Sequence, residues 1–160
     1  MKCLEDLDVF HEILVPLDGS EYAEKALATA VQMAKRFNGT ITLLHVYSLP
    51  ILLPFDLDED KCVDSGMAFE EISQVAERIR EAGAYILARG EKTVEAEGIP
   101  VETLLKKGHV VQEIVKAARE GRYDLIVLGV KGRSKIKEML LGSVSEKVIR
   151  NAPCTVMVAK

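Results

Sequence analysis

The sequence predicts an α/β fold: an open sheet of five parallel strands with helices on both faces. Three observations predict it. Short apolar runs alternate with longer stretches whose apolar residues recur at three- and four-residue steps, the marks of strands and amphipathic helices. The short runs are apolar nearly throughout rather than at every second residue, as strands buried on both faces of a parallel sheet are. Turn residues such as Asp18-Gly-Ser20 and Asn38-Gly39 stand between them. Together these make a Rossmann-like sheet in which right-handed crossovers bring every strand-to-helix turn to one edge.

The elements follow in order. Glu12 to Leu17 is a buried strand, with Pro16 at its end because proline has no N–H for a ladder. Ala23, Ala26, Leu27, Ala30, Val31, Ala34 and Phe37 form one face of a helix that starts near Ser20 and ends at Asn38-Gly39. Thr40 to Tyr47 is the second strand. Residues 48–64 are irregular, with two prolines and the acidic group Asp56, Asp58, Glu59 and Asp60. A long helix runs from Phe69 to Val94, with Gly83 and Gly90 as points for a kink, and stops at Gly98 before Pro100. Val101 to Leu105 is the third strand, and Gly108 precedes a helix carrying Val111, Ile114, Val115 and Ala118. Asp124 to Gly129 is the fourth strand. Ser143 and Glu146 form a capping-box pair for a last helix with Val144 and Val148 on its core face. Asn151-Ala-Pro153 ends that helix, and Cys154 to Ala159 is the fifth strand.

Composition limits the function classes. A chain of 160 residues, 48% hydrophobic, is one domain with a full core, and no linker or internal repeat divides it. The net charge of −4 gives no general attraction to nucleic acid or anionic membrane. With 5% aromatics and no Trp there is little to stack on bases. Cys3, Cys62 and Cys154 make neither a CxxC nor a disulfide framework, which points to a reducing compartment. The acidic Met1–Asp8 segment is no signal peptide and no run is long enough to span a membrane. A soluble, cytoplasmic protein is expected.

The stretch from Val127 to Val144 carries the chemistry. A buried strand stops at Gly129, Gly132 follows, and Gly142 and Ser143 open the last helix. Glycines allow close approach and positive φ, and a helix N-terminus offers free N–H groups to an anion. Lys131, Arg133, Lys135 and Lys137 add charge. Two readings stand: an anion cradle, or a solvated basic loop. The loop is not a GxxxxGK[ST] P-loop, since no lysine precedes Ser143, nor a GxGxxG fingerprint. Ligands in such folds sit at strand carboxyl ends where the winding reverses, so Asp18, His45-Val46 and the Gly129–Ser143 loop are expected to share a crevice. The acidic loop lacks EF-hand spacing, and His11, His45 and His109 form no metal or triad spacing. His109 is expected near the crevice rim, and Cys62 is the one thiol considered for reactivity.

Four segments in order resemble the universal stress protein family, in its ATP-binding branch. They are Ile13-Leu-Val-Pro-Leu-Asp-Gly-Ser-Glu21, Leu44-His-Val46, Gly129-x2-Gly132-x9-Gly142-Ser143, and Asn151-Ala-Pro-Cys154 with its apolar strand. The resemblance spans about Glu12 to Ala159; residues 1–10 and the loop at 48–64 depart from it. It implies strand order 3-2-1-4-5, an adenine nucleotide with Mg²⁺ or Mn²⁺, and a dimer. Asp18 would then accept from a ribose hydroxyl, or serve only as a turn residue or cap. Val46 would meet the adenine edge with its backbone, and Pro16 and Leu17 would line the nucleoside pocket. Gly129, Gly132 and Gly142 would wrap the phosphates. Ser143 would hold a phosphate oxygen or the metal, and Val144 would add an N–H. Arg133 and Lys131 are phosphate contacts or solvated charges.

The function expected is that of a regulatory ATP-binding protein with an unidentified protein partner. The alternatives are a slow ATPase or phosphotransferase, and a scaffold holding AMP or another adenine ligand. Phosphoryl transfer needs a positioned base, and none can be named. In the implied order the final strand, residues 154–159, lies at the sheet edge, apolar and uncharged on both faces. Such an edge invites a two-fold pairing with its copy, unless the N-terminal segment covers it.

Overall fold

The structure is a computed structural model and describes residues 10–49, 69–132 and 141–160. Several sequence expectations lie outside those residues: the segment before Phe10, the acidic loop with Cys62, Cys3, and the cations Arg133, Lys135 and Lys137.

The elements alternate along the chain. They are β1 (Glu12–Pro16), α1 (Glu21–Phe37), β2 (Thr40–Tyr47), α2 (Phe69–Glu95), β3 (Val101–Lys107), α3 (Val110–Glu120), β4 (Leu125–Gly129), α4 (Ser143–Asn151) and β5 (Thr155–Ala159). All five strands are parallel, in order β3-β2-β1-β4-β5. The winding therefore reverses between β1 and β4.

The apolar runs are long because both faces are covered. Ile13, Val15, Ile41, Leu43, Leu125 and Val127 pack against α1 and α2. Their neighbours Leu14, Leu44, Ile126 and Leu128 pack against α3 and α4. Small residues let α1 lie close to the sheet: Ala23, Ala26, Ala30 and Ala34 are buried. Ser20 caps its start, with Oγ accepting from the Ala23 N–H at 3.2 Å. Asn38 ends it in the left-handed region at φ 51°.

Four boundaries differ from the sequence reading. β1 ends at Pro16, one residue early, although the Leu17 N–H still donates to the Leu44 carbonyl at 2.8 Å. β4 begins at Leu125 because Asp124 is a clamp: its Oδ2 accepts from the backbone of His11 (3.1 Å) and Glu12 (3.0 Å). β3 runs on to Lys107, and β5 begins at Thr155.

Two further expectations are corrected. The helix α2 runs unbroken through Gly83 and Gly90. These glycines serve close packing: a Cβ on Gly90 would stand 2.8 Å from Leu17 Cδ1 and 2.9 Å from Leu43 Cδ1, and one on Gly83 would stand 2.5 Å from His45 Cδ2. The capping box of α4 is also absent. The N-cap is Gly142, Ser143 is already the first helical residue, and Glu146 pairs instead with Arg150 at 3.0 Å. Among the described residues no helix is long and apolar enough to cross a membrane.

Candidate functional site

Hydrogen bonding along the carboxyl edge of the sheet stops unevenly. In a parallel ladder successive residues turn their N–H and C=O groups to alternate neighbours. The His11 carbonyl accepts from Thr40 and the Leu17 N–H reaches Leu44, whereas the Glu12 carbonyl accepts from Asp124. Odd residues of β1 thus face β2 and even ones face β4. Pro16 falls on the β4 side, where it has no N–H to offer. Pairing of β1 with β4 ends at Leu14–Ile126, while pairing with β2 reaches Pro16–Leu44.

β2 continues to Tyr47. Tyr47 faces β3, where its carbonyl accepts from Gly108 at 3.0 Å. Leu44 faces β1, and Val46 by the same alternation does too. The Val46 N–H and C=O therefore point past the end of β1.

They point into a crevice of about 410 Å³ at the reversal of the winding. One wall is apolar: Leu44 and Leu128 from the sheet, Val110 and Ile114 from α3. The opposite end holds Asp18, Lys131, Gly132 and the start of α4 from Gly142 to Ser145. A second hollow of similar volume, about 420 Å³, lies on the outer side of α3 beside Asn151. It touches neither a strand end nor the glycine loop, so the first is the candidate site.

The polar end is sewn to β4. The Gly142 N–H donates to the Val130 carbonyl at 2.7 Å, and Ser145 Oγ donates to the Gly129 carbonyl at 2.8 Å. This fixes the first turn of α4, whose leading N–H groups have no partner within the helix. Asp18 Oδ1 accepts from the Ser20 N–H at 2.9 Å, so the turn reading is real. Its Oδ2 lies 2.7 Å from where a Gly132 Cβ would stand. The carboxylate therefore sits against the glycine loop as well.

Pro16, Leu17, Asp18, Val46, Gly129, Lys131, Gly132, Gly142, Ser143 and Val144 all line the crevice; Arg133 lies outside the described residues. His109 borders an adjoining hollow of about 300 Å³ that shares Ser143 and Val144. The His45 ring lies on the other face of the sheet against α2, with Nδ1 2.7 Å from the Leu17 carbonyl. Val110, Ile114, Leu44, Leu128 and Ser145 were not singled out in the sequence. The apolar four look like any core residues there, and the one available signal for Ser145 was a second hydroxyl in the first turn of α4.

The glycines act through close approach rather than positive φ. Among the described glycines only Gly19, Gly98 and Gly108 have positive φ, and of these Gly19 (78°) belongs to the turn beside the site. A Cβ on Gly129 would stand 2.7 Å from the backbone of Tyr22 in α1, and one on Gly142 would stand 3.1 Å from the Val130 carbonyl. Burial, and secondarily the Asp124 carboxylate, push the half-buried Cys154 thiol up from the ordinary value, which disfavours its thiolate form.

A sequence model of the Universal stress protein family matches residues 10–160. The chain is 32% identical over 152 residues to the universal stress protein YxiE of Bacillus subtilis, covering 95% of this chain and 100% of that protein. Among solved structures it is similar to the hypothetical protein MJ0577, with TM-score 0.78, 30% identity, and 95% and 96% of the two chains covered. Two more distant structures share the fold: a universal stress protein in complex with cAMP (TM-score 0.65, 23% identity, 94% and 97% covered) and one from Archaeoglobus fulgidus in complex with dAMP (TM-score 0.59, 23% identity, 95% and 99% covered).

The glycine contacts separate packing from site roles. Gly129→Ala is expected to lower stability by about 1–3 kcal/mol, because the Tyr22 backbone must move. Among the described residues Gly132→Ala meets the Asp18 carboxylate alone and should stay within about 0.5 kcal/mol of the wild type. Urea unfolding reads both; an unchanged midpoint for Gly129→Ala would refute the packing role.

Proposed function

The chain belongs to the universal stress protein family, and from that premise we propose that it is a regulatory module that holds ATP with Mg²⁺ or Mn²⁺ in the β1–β4 crevice. The observation that carries this reading is the polarity of the crevice. It has a free backbone edge at Val46, an apolar wall, and helix N–H groups at its far end. A nucleotide has the same sequence of demands: a base edge that hydrogen-bonds, an apolar ring face, and an anionic tail. The cAMP and dAMP bound by the two distant structures are adenine ligands, which supports the class.

The residues fit the group. The Val46 carbonyl can accept from the adenine amino group, whereas guanine carries an acceptor there. Asp18, already turned toward the phosphate loop, accepts from a ribose hydroxyl. The N–H groups of Ser143 and Val144 stabilise phosphate charge, as helix N-termini do. Among the described residues no cluster of three or more His, Cys, Asp or Glu could hold a metal by itself. A Mg²⁺ carried by the phosphates needs only one or two protein oxygens, and among the described residues the Ser143 hydroxyl would be one at hand. Regulation is favoured over catalysis because, among the described residues, the one carboxylate lining the crevice, Asp18, is assigned to the ribose and no second group is assignable as a base for an attacking water. A cytoplasmic setting goes with this reading.

We extend the proposal to a homodimer through β5. It lies at the sheet edge beside β4, and Val156, Met157, Val158 and Ala159 are half-buried in the single chain. The other edge strand, β3, exposes Glu102, Lys106 and Lys107, charges that discourage pairing. The Ala159 carbonyl accepts from Val130 of the β4 segment, so odd residues of β5 face inward. Val156 and Val158 turn their N–H and C=O groups outward.

Mass spectrometry of nucleotide released from the denatured protein is the first test, with ATP expected. Calorimetry should then give metal-dependent affinity of about micromolar or tighter. Gly132→Val displaces the Asp18 carboxylate and weakens binding, and Asp18→Ala costs about 1–2 kcal/mol. Unchanged affinity in both variants would sink the site. Hydrolysis is expected to be far below the median turnover of about 10 s⁻¹. A purified sample turning over rapidly, with the activity lost in Gly132→Val, would make it an enzyme. For the dimer, Val156→Pro removes an outward donor without touching the β4 ladder and should shift light scattering toward monomer. A wild-type protein that is monomeric at high concentration would rule that interface out.

A further inference from the structure

The end of β1 contains a hydrogen bond that the ladder does not require. In a parallel ladder, a residue that donates to position j−1 of its neighbour accepts from position j+1. Leu17 donates to Leu44, so its carbonyl should accept from the Val46 N–H. It accepts instead from the imidazole of His45, 2.7 Å away. A carbonyl only accepts, so Nδ1 carries the proton. Two neighbouring residues of β2 thus hold the peptide groups on either side of Leu17, one through its backbone and one through its ring. The rung that would have consumed the Val46 N–H is replaced.

The ring is given room to do this. His45 points to the α2 face, and a Cβ on Gly83 would stand 2.5 Å from its Cδ2 and 3.1 Å from its Nε2. Glycine at that point of α2 lets the imidazole lie flat enough to reach back to Leu17.

We propose that His45 is a positioning residue for the nucleotide site: by drawing the Leu17 carbonyl to its ring it keeps that carbonyl off the Val46 N–H, which is left for the base. This rests on the adenine-nucleotide reading above. His45 touches no ligand in this scheme. It acts through the Leu17 carbonyl alone.

The test uses the full chain. His45→Leu removes the donor while keeping an apolar side chain, and His45→Asn keeps a donor near the position of Nδ1. Amide hydrogen exchange of the ligand-free protein reads the ladder directly. Val46 should exchange readily in the wild type and in His45→Asn, and slow in His45→Leu as the Leu17 carbonyl pairs with it. Calorimetry with MgATP should show binding about tenfold weaker in His45→Leu, the order of one hydrogen bond. Binding should be near the wild-type value in His45→Asn. GTP shares the ribose and phosphates but not the base edge, so its affinity should change little.

Equal Val46 exchange in all three proteins overturns the assignment, as does an equal loss for ATP and GTP, which would mean a merely structural role. Should His45→Leu fail to fold, Gly83→Ala pushes the ring away from Leu17 and is expected to give the same two effects. Val46 exchange that slows while ATP affinity holds defeats this inference alone. A wild-type protein with no affinity for any adenine nucleotide defeats the nucleotide reading, and this inference with it.

Discussion

Every N–H and C=O inside a sheet must find a partner, and the site exists because that rule is suspended at one place, the end of β1. Pro16 has no donor for β4, so the two strands part after Leu14–Ile126. On the other side the Leu17 carbonyl is taken by a side chain, so pairing with β2 stops one rung later. β2 and β4 run on without β1 between them. The gap has backbone groups along one edge and core side chains for a wall. It lies between the two strands where the crossovers change direction, so helices stand on either side of it rather than across it.

Holding that gap open is a packing matter. The helix α1 approaches so closely that Gly129 leaves no space for a Cβ beside Tyr22, and α2 approaches so closely that Gly90 and Gly83 are spaced for Leu17, Leu43 and His45. These contacts anchor the last residues of β1, β2 and β4 from the face away from α3. On the α3 face, Ser145 and Gly142 tie the start of α4 to the end of β4. The site is therefore rigid at its strand ends and at the helix start. Its polar groups are preorganised before anything binds, which lowers the ordering cost of binding.

Much of the recognition chemistry is main-chain. The Val46 edge and the first N–H groups of α4 belong to the backbone, and among the described residues Asp18 is the carboxylate beside the loop glycine. In the proposed reading, a crevice of this composition grips a nucleotide mainly through backbone geometry.

The sequence by itself determined the element order, the parallel sheet, the two-sided burial and the glycine-loop residues. Each of these depends on local signals: apolar period, turn residues, and a pattern of glycines with a helix start. It also brought Asp18, Val46 and Ser143 to one crevice, because in a right-handed parallel sheet all strand-to-helix turns share an edge. What it did not contain were the reasons behind individual residues. Gly129 reads as a phosphate glycine until Tyr22 is seen against it, Gly83 and Gly90 read as kinks until the sheet is seen beneath α2, and Ser143 reads as a cap until Gly142 takes that place. His45 stands in the Leu44-His-Val46 segment with no role of its own legible there, yet its ring meets the Leu17 carbonyl at 2.7 Å. Only the tertiary structure decides such roles, because each depends on a contact between residues far apart in the chain, and local pattern holds no record of which atoms will meet across that distance.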